Sequence, residues 1–83
     1  MKKTVRVDEM IEYVELFSRI AIKSDDKDYV SFQLKRIENF LDLLIMVTGK
    51  NNESQEAFVK RTDDLAELVR LKEVREHLDS LYK

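Results

Sequence analysis

His77 is the only imidazole in the chain. It stands four residues after Glu73 and next to Glu76, a spacing that places a carboxylate and an imidazole on one helix face. Such a pair could orient a general base or begin a metal site. Helical metal sites draw their ligands from several helices, commonly as paired Glu-x-x-His motifs, and the sequence holds neither a second histidine nor a cysteine. His77 therefore reads as a surface residue, and no catalytic, cofactor or metal role is assigned to it. Acids also recur in pairs, Glu12 with Glu15 and Glu53 with Glu56.

Two short resemblances attach to these residues. The segment Asp8-Glu9-Met10-Ile11-Glu12 resembles the first half of the Glu-Glu-x-x-Glu signature of all-helical nucleotide pyrophosphohydrolases of the MazG type. That resemblance implies a magnesium-dependent hydrolase using Glu9, Glu12, Glu38 and Asp42. Its second element would be Glu-x-x-Asp, whereas Glu38 and Asp42 are one residue further apart, a step of about 100° around a helix. Arg70 and His77 have the Arg-x6-His spacing that resembles the nuclease motif of HEPN domains, with Leu71 where a polar residue commonly follows. Each resemblance covers a few residues only, and exposed acids are the norm on amphipathic helices. The solvated-face reading is preferred for both.

The backbone that would position such groups is constrained by what the sequence lacks. Gly49 is the single glycine among 83 residues and there is no proline. Phosphate-cradling loops and nucleophile elbows need glycines beside the reacting atoms, so the enzyme classes that announce themselves this way are excluded. With 15 basic and 17 acidic residues interspersed, the formal charge is −2, which is a mixed, solvated surface. The only one-sided basic cluster is Lys2, Lys3 and Arg6. Lys35 with Arg36 and Lys60 with Arg61 each have acids nearby, so nucleic-acid binding is expected to be weak at most. The longest apolar run, Leu43 to Val47, is far short of the roughly 20 residues of a membrane span. Together with the absence of cysteine, this predicts a cytoplasmic protein.

Three amphipathic segments follow. From about residue 8 to 23, Val7, Met10, Ile11, Val14, Phe17 and Ala21 recur at three- and four-residue steps. Ser24 or an adjacent aspartate then caps a second helix over 28–48, where Val30, Leu34, Ile37, Leu41 and Leu44 form a lengthwise seam. Its second half, from Phe40 to Val47, is apolar nearly all round and is expected to be surrounded, with Phe17, Phe32, Phe40 and Phe58 filling the core. Gly49 is placed as a left-handed C-terminal cap and Asn52 with Gln55 as a capping box. From 53 to 82 no breaker occurs, which predicts one long third helix.

That third helix carries two apolar faces. Phe58, Leu65 and Val69 share one, while Leu78 lies roughly 160° away with Leu71, Val74 and Leu81. The expected fold is all-α: a small antiparallel three-helix bundle, a single domain with a long C-terminal helix, or with a fourth short helix after Arg70 if the chain breaks there. A chain this short has a small core, and oligomerisation is a common remedy. Leu71, Val74, Leu78, Leu81 and Tyr82 are therefore assigned as a protein-interaction surface for a homodimer and a larger protein partner. The function this implies is stoichiometric binding, as an adaptor, antagonist or regulatory protein. Bacterial and phage-encoded regulators are often built on such architectures, an analogy of architecture only.

Overall fold

A computed structural model describes residues 6–83, and the described chain is helical, with four helices in place of three. α1 spans Val7–Ile22, α2 Lys27–Val47, α3 Gln55–Leu68 and α4 Leu71–Leu81. α1 opens with Asp8 and Glu9 at the positive end of its dipole and ends with Arg19 in its last turn, both charge placements being favourable. Lys2 and Lys3 lie outside the described residues.

Asp26 caps α2: its Oδ1 accepts from the backbone N–H of Asp28 at 3.0 Å and of Tyr29 at 3.3 Å. Ser24 supports the turn from behind, its Oγ accepting the Asp26 N–H. At the other end of α2 the cap is Thr48, whose hydroxyl donates to the Leu44 carbonyl at 2.6 Å. Gly49 follows it without a positive φ, so the expected left-handed glycine cap is not formed; the left-handed residue of this connection is Asn52, at φ 65°. Nor does Asn52 cap α3. Ser54 does, with its Oγ accepting the Ala57 N–H at 3.1 Å. The two expectations placed the turn correctly but not the roles within it, which fall to Thr48, Asn52 and Ser54.

The single helix expected from 53 to 82 is not continuous: α3 ends at Leu68 with Val69 as its cap, and the alternative of a fourth short helix after Arg70 is the one formed. Arg70 turns left-handed, at φ 59° and ψ 34°, and α4 folds back on α1 and α2. A left-handed non-glycine residue costs about 1–2 kcal/mol. The fold-back compensates by burying much of the second apolar face of this region inside the same molecule: Val74 is fully buried and Leu71 nearly so.

The core runs along α2. Val30, Ile37 and Leu44 are fully buried, Leu41 nearly so, and around them pack Val14, Phe17 and Ala21 of α1, Leu65 of α3, and Leu71 and Val74 of α4. α1 packs mainly on α2, and α4 lies across both. The molecule is thin, with principal extents of 43 × 35 × 15 Å. A thickness of 15 Å accommodates two helix layers at the usual spacing of about 10 Å. None of the described helices is long and apolar enough to cross a membrane.

Candidate functional site

α1 and α2 are half of this two-layer arrangement, and among the described residues only one side of the pair is covered. On α2, Glu38 binds Arg75 of α4 through a 3.0 Å contact between Oε2 and Nη2. Arg36, two positions earlier, lies about 200° around the helix from Glu38, so it faces away from α4. On α1, the buried Ser18 hydroxyl donates to the Val69 carbonyl at the start of the fold-back. Ile20, again two positions on, points to the far side and is exposed.

The residues on that far side are aromatic and aliphatic. Tyr13 of α1 meets Phe17 edge-on with ring centroids 4.7 Å apart, and meets Phe40 of α2 at 6.3 Å. The Arg36 guanidinium lies over the Phe17 ring at 4.3 Å and near Phe32 at 5.7 Å, so a cation rests on the apolar surface through ring-face attraction. Tyr13, Leu16 and Ile20 on α1, with Tyr29, Phe32 and Leu43 on α2, remain exposed; Phe32 is 58% exposed and Tyr13 54%. Single exposed apolar side chains are ordinary, whereas these six lie on two adjoining helices.

This placement corrects three expectations. Leu43, Met46 and Val47 are exposed although the second half of α2 was expected to be surrounded, because α3 and α4 cover only one side of it. Phe17 is core, Phe40 is partly buried, and Phe32 and Phe58 are exposed. The seam assigned to a partner is occupied within the chain: Leu71 and Val74 are in the core, and Leu78 and Leu81 pack against it. Tyr82 alone of the five is exposed, with the Lys27 ammonium 5.0 Å from its ring centre. The physical reason is the turn at Arg70, which brings this seam onto α1 and α2.

Most of the candidate chemical groups engage a side chain or the backbone singly. His77 Nε2 sits 2.6 Å from the Ser24 carbonyl. A carbonyl only accepts, so Nε2 carries the proton and ties α4 to the α1–α2 turn. Glu73 pairs with Arg70 at 3.8 Å, Glu76 with Lys72 at 3.9 Å and Glu9 with Arg6 at 3.6 Å. Glu38 is taken by Arg75, while Glu12 and Asp42 are exposed. No group of three or more acidic or histidine side chains converges among the described residues. A cleft of about 500 Å³ at the α3–α4 corner is lined by Asp63, Glu67, Arg70 and Glu73 among others, a mixed-charge surface apart from the aromatic face.

One polar cluster is built tightly, and it is structural. Arg61 of α3 donates to both carboxylate oxygens of Glu53, at 2.8 and 2.7 Å, and its Nη1 donates to the Ile45 carbonyl at 2.6 Å and to Thr48 Oγ1 at 2.7 Å. A planar guanidinium suits such a fork. It satisfies a carbonyl in the last turn of α2, where helix carbonyls lack internal partners. The hydrogen bonds from Arg61 hold the Glu53 carboxyl below its usual 4.5, against an opposing effect of burial. The same contact raises Arg61 above its ordinary value.

Comparison of the chain with protein-family models, with curated proteins and with solved structures gives no match.

The α2 stripe has a sequence signal that the core seam masks. Tyr29, Phe32, Arg36, Asn39, Leu43 and Met46 follow a three-four-three-four-three spacing alongside the buried seam. Two polar residues at its centre keep it from standing out as a second apolar row, and its Phe32, Leu43 and Met46 are read as core.

Proposed function

We propose that this chain acts by stoichiometric protein binding, as a small adaptor, antagonist or regulatory protein, through the aromatic face that α1 and α2 present away from α4. The carrying observation is the one-sided covering of the α1–α2 pair, which leaves Tyr13, Ile20, Phe32 and Leu43 exposed around a ring-stacked Arg36. Burying a large apolar side chain contributes about 1.5–3 kcal/mol, so four of them supply a useful fraction of a binding free energy before the costs of association. Aromatic residues and arginine are the types that dominate such contacts. The partners belong to two kinds, a second copy of this chain and a larger protein. Neither needs the α4 seam, whose leucines are engaged in-chain.

The test uses Phe32→Asp combined with Leu43→Asp. Both sites are exposed, so the fold is expected to survive, as helical circular dichroism and a cooperative melt would show. Immobilised wild-type protein should retain a specific partner from lysate of the source cells that the double variant loses. Equal recovery of that partner by a folded double variant would rule this face out as the binding surface.

A further inference from the structure

We infer that the exposed row on α2 is the seam of an antiparallel dimer, in which α2 of one copy lies end for end along α2 of the second. This rests on the protein-binding reading above and names one occupant of the same face. Tyr29, Phe32, Arg36, Asn39, Leu43 and Met46 keep the a/d spacing of helices that pack lengthwise, and all are exposed except Arg36, which is half-buried. The row is apolar at both ends and polar in the middle. Turned about a two-fold axis midway between Arg36 and Asn39, it meets itself in kind. Phe32 faces the partner's Leu43, Tyr29 faces the partner's Met46, and Arg36 faces the partner's Asn39, whose side-chain carbonyl can accept from the guanidinium.

The flanking charges fit the same operation. Lys35 and Asp42 are exposed at the edge of the row, and among the described residues neither has an ion-pair partner. In the antiparallel arrangement each Lys35 lies beside the partner's Asp42, and symmetry forms this pair twice. A parallel arrangement would instead set Arg36 against Arg36, a like-charge contact in the middle of the seam. The polar centre thus fixes both direction and register, as isolated polar residues do in coiled-coil seams. From Tyr29 to Met46 the row is about 26 Å long. With Tyr13 and Ile20 of α1 widening the contact on the Phe40 side, each copy would bury roughly 500 Å² across two helix widths of about 10 Å. A total near 1,000 Å² lies at the low end for a specific interface, so the dimer dissociates in the micromolar range.

The chain has no cysteine, so engineered thiols report the pairing directly. Phe32→Cys combined with Leu43→Cys should give a disulfide-linked dimer under mild oxidation, with no ladder of higher oligomers. The two thiols of one chain are about 16 Å apart along α2 and cannot join each other. Each single variant should stay largely uncrosslinked, because the antiparallel pairing separates the two copies of either position by a similar distance. Cross-linking of the single variants, or a ladder from the double, overturns the arrangement. A second pair of variants keeps the seam intact: Lys35→Glu should weaken dimerisation several-fold at low salt in sedimentation equilibrium, and adding Asp42→Lys should restore it. A double charge swap no tighter than the single, or wild-type protein that stays monomeric up to millimolar concentration, also overturns the dimer. Monomeric wild type whose partner capture is still abolished by the two aspartate substitutions would refute self-pairing while leaving the protein-binding reading intact. Self-pairing by this register with no partner lost would do the reverse for a larger partner.

Discussion

The buried hydroxyl of Ser18 on α1 donates to the backbone carbonyl of Val69, the last residue before the chain turns left-handed at Arg70. Both residues are fully buried, so water is not there to replace either group. The hydrogen bond therefore does two things. It satisfies a carbonyl that the end of α3 leaves without a helical partner, and it fixes where α3 must stop relative to α1. Ser18→Ala leaves that carbonyl without its partner, and the expected loss is about 1–3 kcal/mol. For a domain of this size each kcal/mol corresponds to roughly 4–8 °C in melting temperature, which a thermal melt followed by circular dichroism resolves. A change under 2 °C would mean that Ser18 does not hold the corner.

Arg70 gives the complementary prediction. At φ 59° a side chain is disfavoured and glycine is not. Its guanidinium makes only an exposed contact with Glu73 at 3.8 Å, the kind of ion pair that contributes little. Arg70→Gly should therefore be neutral or raise stability by up to about 1 kcal/mol, gaining from relief of the left-handed strain what it loses to the greater freedom of the unfolded chain. In a continuous helix the same substitution would cost about 1 kcal/mol. Chemical denaturation separates the two outcomes by sign, and clear destabilisation would argue for the unbroken helix.

Why the sequence offers the break at Arg70 only as an alternative, with no local signal to select it, follows from these two residues. Nothing between Val69 and Val74 is a turn former; the chain bends because Leu71 and Val74 can reach the core only if it does, and because Ser18 lies fifty-one positions away in sequence to receive the corner. Both are tertiary causes. What was legible is local: the Asp26 cap, the α1 stripe and the α2 seam all follow from spacing and side-chain chemistry within a few residues. The candidate surface was hidden for a third reason. Arg36 and Asn39 interrupt the apolar row of α2, and only the position of α4 shows which side of that helix remains open.

Gly49 offers a test of the turn that sequence and structure assign differently. A left-handed cap would make alanine there strained by about 1 kcal/mol. With no positive φ, the relevant question is space. A Cβ at Gly49 would meet the Met46 carbonyl at 3.4 Å and Arg61 Nη2 at 3.6 Å, which are ordinary contacts. Gly49→Ala is expected to be neutral or to stabilise by up to about 1 kcal/mol through the unfolded state. Urea unfolding with unchanged slope and a midpoint at or above that of the wild type is the predicted result.

The Glu53–Arg61 fork predicts how stability depends on acid. Because hydrogen bonding to Arg61 holds the folded-state value of Glu53 below the usual 4.5, the unfolded chain takes up a proton first as pH falls. The contribution is fully present above about pH 4.5, diminishes below it, and is gone once pH passes beneath the folded-state value. Glu53→Gln removes this titration. The variant should be less stable than wild type at pH 7, and the difference should shrink steadily between pH 5 and pH 3. Arg61→Lys should reproduce the loss at pH 7 because an ammonium cannot serve two carboxylate oxygens, the Ile45 carbonyl and Thr48 together. A gap between Glu53→Gln and wild type that stayed constant across that range would place the pH dependence of this protein elsewhere.

The last prediction separates packing from binding on α4. Val74 is fully buried and Leu71 nearly so, whereas Leu78 and Leu81 are only packed against the core. Leu71→Ala should therefore cost about 2–5 kcal/mol, the usual range for emptying a buried leucine site, in a domain whose whole stability is of the order of 5–10 kcal/mol. If this face instead served a second molecule, the substitution would weaken association and leave the isolated chain's unfolding almost unchanged. Denaturation at several protein concentrations distinguishes the cases. A large loss of stability that does not vary with concentration is expected, because the partner that buries Leu71 is the chain's own α1–α2 layer. A loss that disappears on dilution would return this seam to an intermolecular role.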